Sequence, residues 1–318
     1  MALVDGADPA FVRDVLAGMA LPQKAVPARW LYDEAGSHLF EDITRLPEYY
    51  PTRTETAILA ACAADLATHV GPGRAVVEFG SGSSTKTPLV LDAISPAAYV
   101  PIDISGDFLR ASAAALAAAR PGLPVHPVKA DFLQPVALPS AVEGLPKLGF
   151  FPGSTIGNFG PRAATNLLRS MAATLGEGAQ LLIGMDLIKD EAALVAAYDD
   201  AAGVTARFNR NLLQRINREA GGTIPVAQFR HEARWNDTQA RIEMHLVAEC
   251  ALSFTIAGQS FAMGAGDSIH TENSHKFSLR SAALLLMAGG WQIRTRWLDA
   301  DALFAIMLAD RASANFAP

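Results

Sequence analysis

Ala75-Val76-Val77-Glu78-Phe79-Gly80-Ser81-Gly82-Ser83-Ser84-Thr85-Lys86 is the stretch on which the fold turns. Its apolar opening carries no polar alternation, which suits a strand of a parallel sheet covered by helices on both faces. Glu78 closes the strand. Gly80 and Gly82 then make a turn with no Cβ to obstruct an approaching ligand. Ser83, Ser84 and Thr85 are N-cap candidates for a helix that Lys86 begins. Strand, glycine turn and helix N-terminus together form a nucleotide-type site of the Rossmann kind.

The turn departs from the dinucleotide pattern, because the third glycine of G-x-G-x-x-G is missing. An acid at the strand's end followed by G-x-G is instead how S-adenosylmethionine (SAM) methyltransferases open their cofactor site. An ordinary strand-to-helix turn looks the same locally, so the flanking chain has to decide. Ala98–Ile104 reads as a second strand, and its Asp103 stands about twenty residues past the turn, where a carboxylate takes ribose hydroxyls. A plain helix-start residue is the alternative there. Val125–Ala130 reads as a third strand ending in Asp131-Phe132, an acid to accept from an adenine amine and a ring to stack on it. Leu148–Phe151 is the fourth. It runs into a loop containing Asn158, at the carboxyl end where a doubly wound sheet keeps its ligand crevice. A helix, Arg162–Leu175, leads to the fifth strand, Ala179–Asp186.

Composition narrows the classes. Half of the 318 residues are hydrophobic and 18% are charged, which describes a globular chain. A net charge of −6 gives no electrostatic footprint for nucleic acid or an anionic membrane. The first residues lack the pattern of a signal peptide, and the longest apolar run, Ala282 to Gly290, is too short to cross a bilayer. Cys62 and Cys250 have no His or Cys nearby at metal spacing. The expectation is a cytoplasmic monomer with reduced thiols, no metal, no nucleic-acid partner and no membrane association.

Beyond Asp186 the alternation breaks. Lys189–Ala201 and Val204–Ala220 read as helices, followed by β-rich Gln228–Trp235, Ala240–Glu249 and Leu252–Ile256. In the middle strand Ile242, Met244 and Leu246 share an apolar face that reads as packing. His245, on the other face, reads as a solvated histidine. Ile269–Phe277 reads as a polar loop. A helix at Ser278–Met287 and strands at Gln292–Trp297 and Leu303–Leu308 resume the pattern. They complete an α/β, doubly wound, seven-stranded sheet of the class I (Rossmann-like) methyltransferase type with its last strand antiparallel. At the other end, a helix at Pro9–Ala20 precedes a tyrosine-rich stretch from Tyr32 to Glu55. That stretch is too irregular for a core helix and too aromatic for a linker, so it suits a lid or wall over a ligand. Two domains follow: 56–189 with 277–318 for SAM, and an α+β substrate domain from 1–55 with 190–276.

Several longer motifs are specific. Tyr32-Asp33 with Gly36-Ser37, Leu46-Pro47-Glu48-Tyr49-Tyr50-Pro51-Thr52-Arg53, Gly153-Ser154-Thr155-Ile156-Gly157-Asn158, Tyr198-Asp199-Asp200, Phe208-Asn209-Arg210-Asn211, Arg241-Ile242-Glu243-Met244 and Thr271-Glu272-Asn273-Ser274-His275-Lys276 stand beside the glycine turn. The combination resembles the L-histidine Nα-methyltransferases of ergothioneine biosynthesis, from about Tyr32 to the C-terminus. The resemblance implies that Gly80, Gly82 and Lys86 contact SAM, with Asp103 on the ribose and Asp131 and Phe132 at the adenine. It implies Asn158 and Tyr198 on the amino acid's carboxylate, and Tyr49, Glu272, Asn273 and Ser274 on the imidazole. Met244 would line the pocket, and Tyr32 would stand near the amine being methylated. The small-molecule substrate would be L-histidine, converted to its Nα-trimethyl form, hercynine. A relative acting on tryptophan is the runner-up, and a nicotinamide oxidoreductase on the same sheet is a more distant alternative.

Overall fold

Ala75–Phe79 is a fully buried strand in the interior of a seven-stranded sheet, in a computed structural model that describes residues 8–82 and 86–312. Across the sheet the strands run 291–298, 304–311, 180–186, 147–151, 75–79, 98–103 and 128–129. The 304–311 strand is antiparallel to both neighbours, and the 75–79, 98–103, 128–129, 147–151 and 180–186 strands pair in parallel. The chain winds outward in one direction through 98–103 and in the other through 147–151, so the switch point lies beside the 75–79 strand. The carboxyl ends of strands at such a point form the ligand crevice.

Alternate strand residues fill two apolar layers. Val77, Phe79, Val100, Ile102, Phe151 and Ile183 pack with Leu167, Leu168 and Met171 of the 161–175 helix. On the other face Val76, Tyr99, Phe150 and Leu182 pack with Ile58, Leu59 and Leu66 of the 50–70 helix. The third strand is shorter than its apolar run suggests. Ladder pairing covers Val128–Lys129, and Val125 makes an isolated bridge to Tyr99. Pro124 and Pro127 explain this, since neither has an N–H for the ladder. The N-cap candidates Ser83, Ser84 and Thr85 lie outside the described residues; the helix runs Thr87–Ile94, with Lys86 just before it.

The chain divides into two compact units. Among the described residues, the larger comprises those within Pro51–Ile188 and 276–312; the smaller comprises 8–50 and Lys189–His275. The smaller unit holds a four-stranded sheet in the order 24–25, 268–275, 241–248, 229–236, and a separate 252–256/259–263 hairpin. Three readings of this region need correction. Ile269–Phe277 is not all loop: Ser268–His275 is a strand, antiparallel to Arg241–Ala248. Its register shifts between His270 and Glu272, and this bulge at Thr271 breaks the period-2 pattern that would have identified it. The tyrosine-rich stretch contains a regular helix, Glu34–Thr44, capped by Asp33. Lys189–Ala201 contracts to Glu191–Tyr198, because Asp190 caps the backbone N–H groups of Ala192 and Ala193. Among the described residues no helix is long and apolar enough to cross a membrane.

Candidate functional site

In the larger unit three strand ends lie side by side because 75–79, 98–103 and 128–129 are sheet neighbours. Gly80 and Gly82 both take positive φ, 71° and 45°. A Cβ on Gly80 would stand at ordinary contact, 3.4 Å, from the ring of Phe132, so it is the backbone conformation rather than space that calls for glycine. Asp103 latches the turn to the second strand: Oδ2 accepts from Gly82 N at 3.2 Å and Oδ1 from Ser105 N at 2.8 Å. Asp131 is exposed just beyond the third strand, accepting from Leu133 N at 3.0 Å. Phe132 is half-buried, edge-on to Phe79 and Phe151.

Lys86 has a protein partner that its sequence position does not reveal. Its ammonium pairs with Glu55, whose carboxylate also accepts from Gly153 N at 3.0 and 2.8 Å. Glu55 is buried, and Gly184 makes room for it: a Cβ there would fall 2.0 Å from Oε1. Glu55 was missed because an acid among Thr54 and Thr56 reads as helix surface. Glu78 is likewise buried and accepts from Thr87 Oγ1 at 2.7 Å and from the Tyr99 hydroxyl. Burial pushes its carboxyl up to about 7, against those two hydrogen bonds and nearby Lys86. Asn158 is half-buried at the end of a short 3-10 turn, Thr155–Asn158. That turn follows Ser154, which has a φ of 54° and accepts from Asp186 N at 2.9 Å.

The smaller unit gathers five aromatic rings. Tyr32 meets Phe40 and Phe208 with centroids at 5.6 and 5.5 Å, and Tyr49 meets Phe40 and Tyr198 at 6.2 and 6.0 Å. Edge-to-face rings at this spacing pack favourably and hold one another in place. Into this group the strands bring polar atoms: the Tyr32 hydroxyl donates to Glu272 Oε1 at 3.3 Å, and the Tyr198 hydroxyl lies 2.7 Å from Ser274 Oγ. Burial first, and then the Glu272 carboxylate, hold the Tyr32 phenol well above its ordinary pKa, so it remains a donor. Met244 and Glu272 are direct cross-strand partners, and both are buried. The Thr271 hydroxyl pins the bulge by donating to Met244 O at 3.1 Å.

Asn273 stands apart from these residues. Its cross-strand partner is Glu243, and its side chain lies against His270, on the sheet face opposite Glu272. His245 also departs from the solvated reading, for its side chain is only 3% exposed. Two further residues stand out only in the structure, Asn209, from the Phe208–Asn211 motif, and His231, from no motif. Asn209 Nδ2 donates to His231 Nδ1 at 2.9 Å, and His231 Nε2 then donates to Tyr198 O at 2.7 Å. Burial lowers the His231 pKa, which keeps this neutral tautomer and fixes the backbone that carries Tyr198. Asp33 acts similarly on the other side, accepting from Gly36 N at 2.8 Å and Asn211 Nδ2 at 2.7 Å.

Comparison with known proteins identifies the family. A family model described as histidine-specific methyltransferase, SAM-dependent, matches residues 11–311. The chain is 41% identical over 313 residues to histidine N-alpha-methyltransferase of Mycolicibacterium smegmatis, covering 96% of this chain and 97% of that one. It is 32% identical over 206 residues to ergothioneine biosynthesis protein 1 of Neurospora crassa, covering 63% of this chain and 23% of that one. Among solved structures, the CcbJ methyltransferase of Streptomyces caelestis aligns with a TM-score of 0.49 at 15% identity, over 89% of this chain and 100% of that one.

Proposed function

Because the chain belongs to the histidine-specific, SAM-dependent methyltransferases, we propose that it transfers methyl groups from SAM to the α-amine of L-histidine, three in succession, giving hercynine for ergothioneine biosynthesis. The observation that carries the substrate is Glu272, a carboxylate buried to 8% exposure beside an aromatic cluster. A charged acceptor is costly to bury, and such a place suits a ligand that brings an N–H to it. Imidazole supplies one. A pocket built around that hydrogen bond disfavours side chains that lack a donor.

The residues of the larger unit fit SAM. The positive-φ glycine turn leaves an approach free of Cβ atoms, Asp103 retains lone pairs for ribose hydroxyls, and Asp131 with Phe132 stands one strand further on for the adenine. SAM supplies an electrophilic methyl when bound. In this reading Lys86 acts from its pair with Glu55. In the smaller unit Tyr49 and Glu272 take the imidazole, and Tyr198, with Ser274 beside it, holds the carboxylate. Tyr32 keeps its proton, orients the Glu272 carboxylate and offers an aromatic face to the ammonium as methyl groups accumulate. The amine reacts in its neutral form, and the protein's main contribution is alignment of nitrogen, methyl and sulfur. No nucleic acid or membrane enters this reading, which takes the protein to be a cytoplasmic monomer.

Incubation with SAM and each of the twenty amino acids, followed by mass spectrometry, tests the proposal. Gains of one, two and three methyl groups on histidine are expected. Methylation of tryptophan in preference to histidine would establish the runner-up, and methylation of neither would refute both. A second expectation concerns the cofactor. Asp103→Ala should weaken SAM by about 1.5–3 kcal/mol, the range for hydrogen bonds involving a charged group. Calorimetric titration showing unchanged affinity in a folded variant would remove Asp103 from the site.

A further inference from the structure

We propose that Glu243, His245 and His270 form a binding site for one divalent transition-metal ion, with Zn²⁺ as the reference ion. One ligand atom from each lies within 4.8 Å of the other two. A tetrahedral ion with bonds of about 2.0–2.1 Å needs about 3.4 Å between ligand atoms, so the set closes only if the His245 and His270 rings, stacked 4.9 Å apart at 16°, turn out of their stack to point a nitrogen each at the same ion. Two imidazoles and one carboxylate are a common three-residue zinc set that leaves a fourth position for water.

The fold builds this cluster through the Thr271 bulge. His245 faces His270 across the strand pair, and Glu243 faces Asn273. His270 and Asn273 are three apart, and a regular strand would send them to opposite faces; the inserted residue returns them to the same one. The cluster thus lies on the sheet face opposite Met244 and Glu272, and the methyl transfer does not use it.

Outer partners already orient the donors. His270 Nε2 donates to Glu272 O at 3.1 Å, which leaves Nδ1 with its lone pair. That is the usual support for a metal-bound histidine, its second nitrogen donating to a backbone carbonyl. His245 Nδ1 lies 3.1 Å from Ser268 Oγ, so a proton there frees Nε2, which is 3.2 Å from Glu243 Oε2. Arg241 and Asn236 occupy the other oxygen, Oε1, at 2.8 Å each. In addition, Asn273 Oδ1 is buried with no hydrogen-bond partner among the described residues. Arg234 and Arg241 place positive charge nearby, which weakens cation binding.

The test is calorimetric titration of the metal-free full chain with Zn²⁺, alongside His245→Gln, His270→Gln and Cys250→Ser, the last removing an exposed thiol. The proposal expects one ion per chain, at least tenfold weaker binding in each histidine variant, and no change in the cysteine variant. Zn²⁺ should also raise the melting temperature of the wild type and leave the histidine variants unmoved. Wild type that takes up no Zn²⁺, or full binding in both histidine variants, would overturn it. If the histidine variants fail to fold, the visible spectrum of the Co²⁺-loaded wild type decides: ligand-field bands without thiolate charge transfer support the site, and a thiolate band refutes it.

Discussion

Glu272→Ala combined with Met244→Val is expected to lose activity toward histidine and gain tolerance for a larger ring such as indole. The carboxylate is buried, so removing it leaves an imidazole N–H without its acceptor, which costs roughly 1–3 kcal/mol, or about a 5- to 150-fold loss in kcat/KM. It also removes the acceptor of the Tyr32 hydroxyl. Met244 is the cross-strand partner of Glu272, so trimming it enlarges the same neighbourhood without supplying an acceptor. Residues in contact couple, and the pair of changes should shift preference by more than the two single changes sum to. Competing this view is plain packing: Met244 is 1% exposed and sits on an apolar strand face. Packing alone predicts a less stable variant with unchanged preference. Measuring kcat/KM for histidine and tryptophan in the wild type, both single variants and the double variant separates these outcomes, and an unaltered ratio would withdraw both residues from substrate recognition.

What the sequence disclosed follows from how far each signal reaches along the chain. Buried parallel strands are short apolar runs bounded by glycine and proline, so 75–79, 98–103, 147–151 and 180–186 were legible to within a residue or two. The 268–275 strand was not, since its bulge destroys alternation and its residues are polar on both faces. His245 looked solvated because period 2 assigns a side but cannot say that another histidine stacks on it, here 4.9 Å away at 16°. The aromatic cluster was legible as tyrosines with unusual neighbours, through motif resemblance rather than periodicity. Long-range charge pairs were invisible. Glu55 finds Lys86 thirty-one positions away and Asp186 finds Lys276 ninety positions away, and no local pattern connects either pair.

That last pair yields the largest expected loss of stability. Asp186 ends the 180–186 strand and Lys276 precedes the 279–288 helix; their side chains are 1% and 0% exposed, with Nζ donating to Oδ2 at 2.7 Å. Backbone bonds reinforce the junction, Phe277 N donating to Asp186 O at 2.9 Å and Ile188 N to Phe277 O at 3.0 Å. Two charges out of water attract strongly but have each given up hydration, so the pair's net worth is small while the cost of removing one member is large. Lys276→Met keeps the length of the side chain and deletes the ammonium facing Asp186, which should destabilise the larger unit by about 3–5 kcal/mol. Asp186→Asn should cost a comparable amount, because it leaves the ammonium buried opposite a neutral group. The double variant, Asp186→Asn with Lys276→Met, buries no charge at this point and should recover most of the loss. Urea unfolding of the four proteins at neutral pH measures the coupling directly. A Lys276→Met variant within about 1 kcal/mol of the wild type would mean that water reaches the carboxylate and that the pair does not hold this junction.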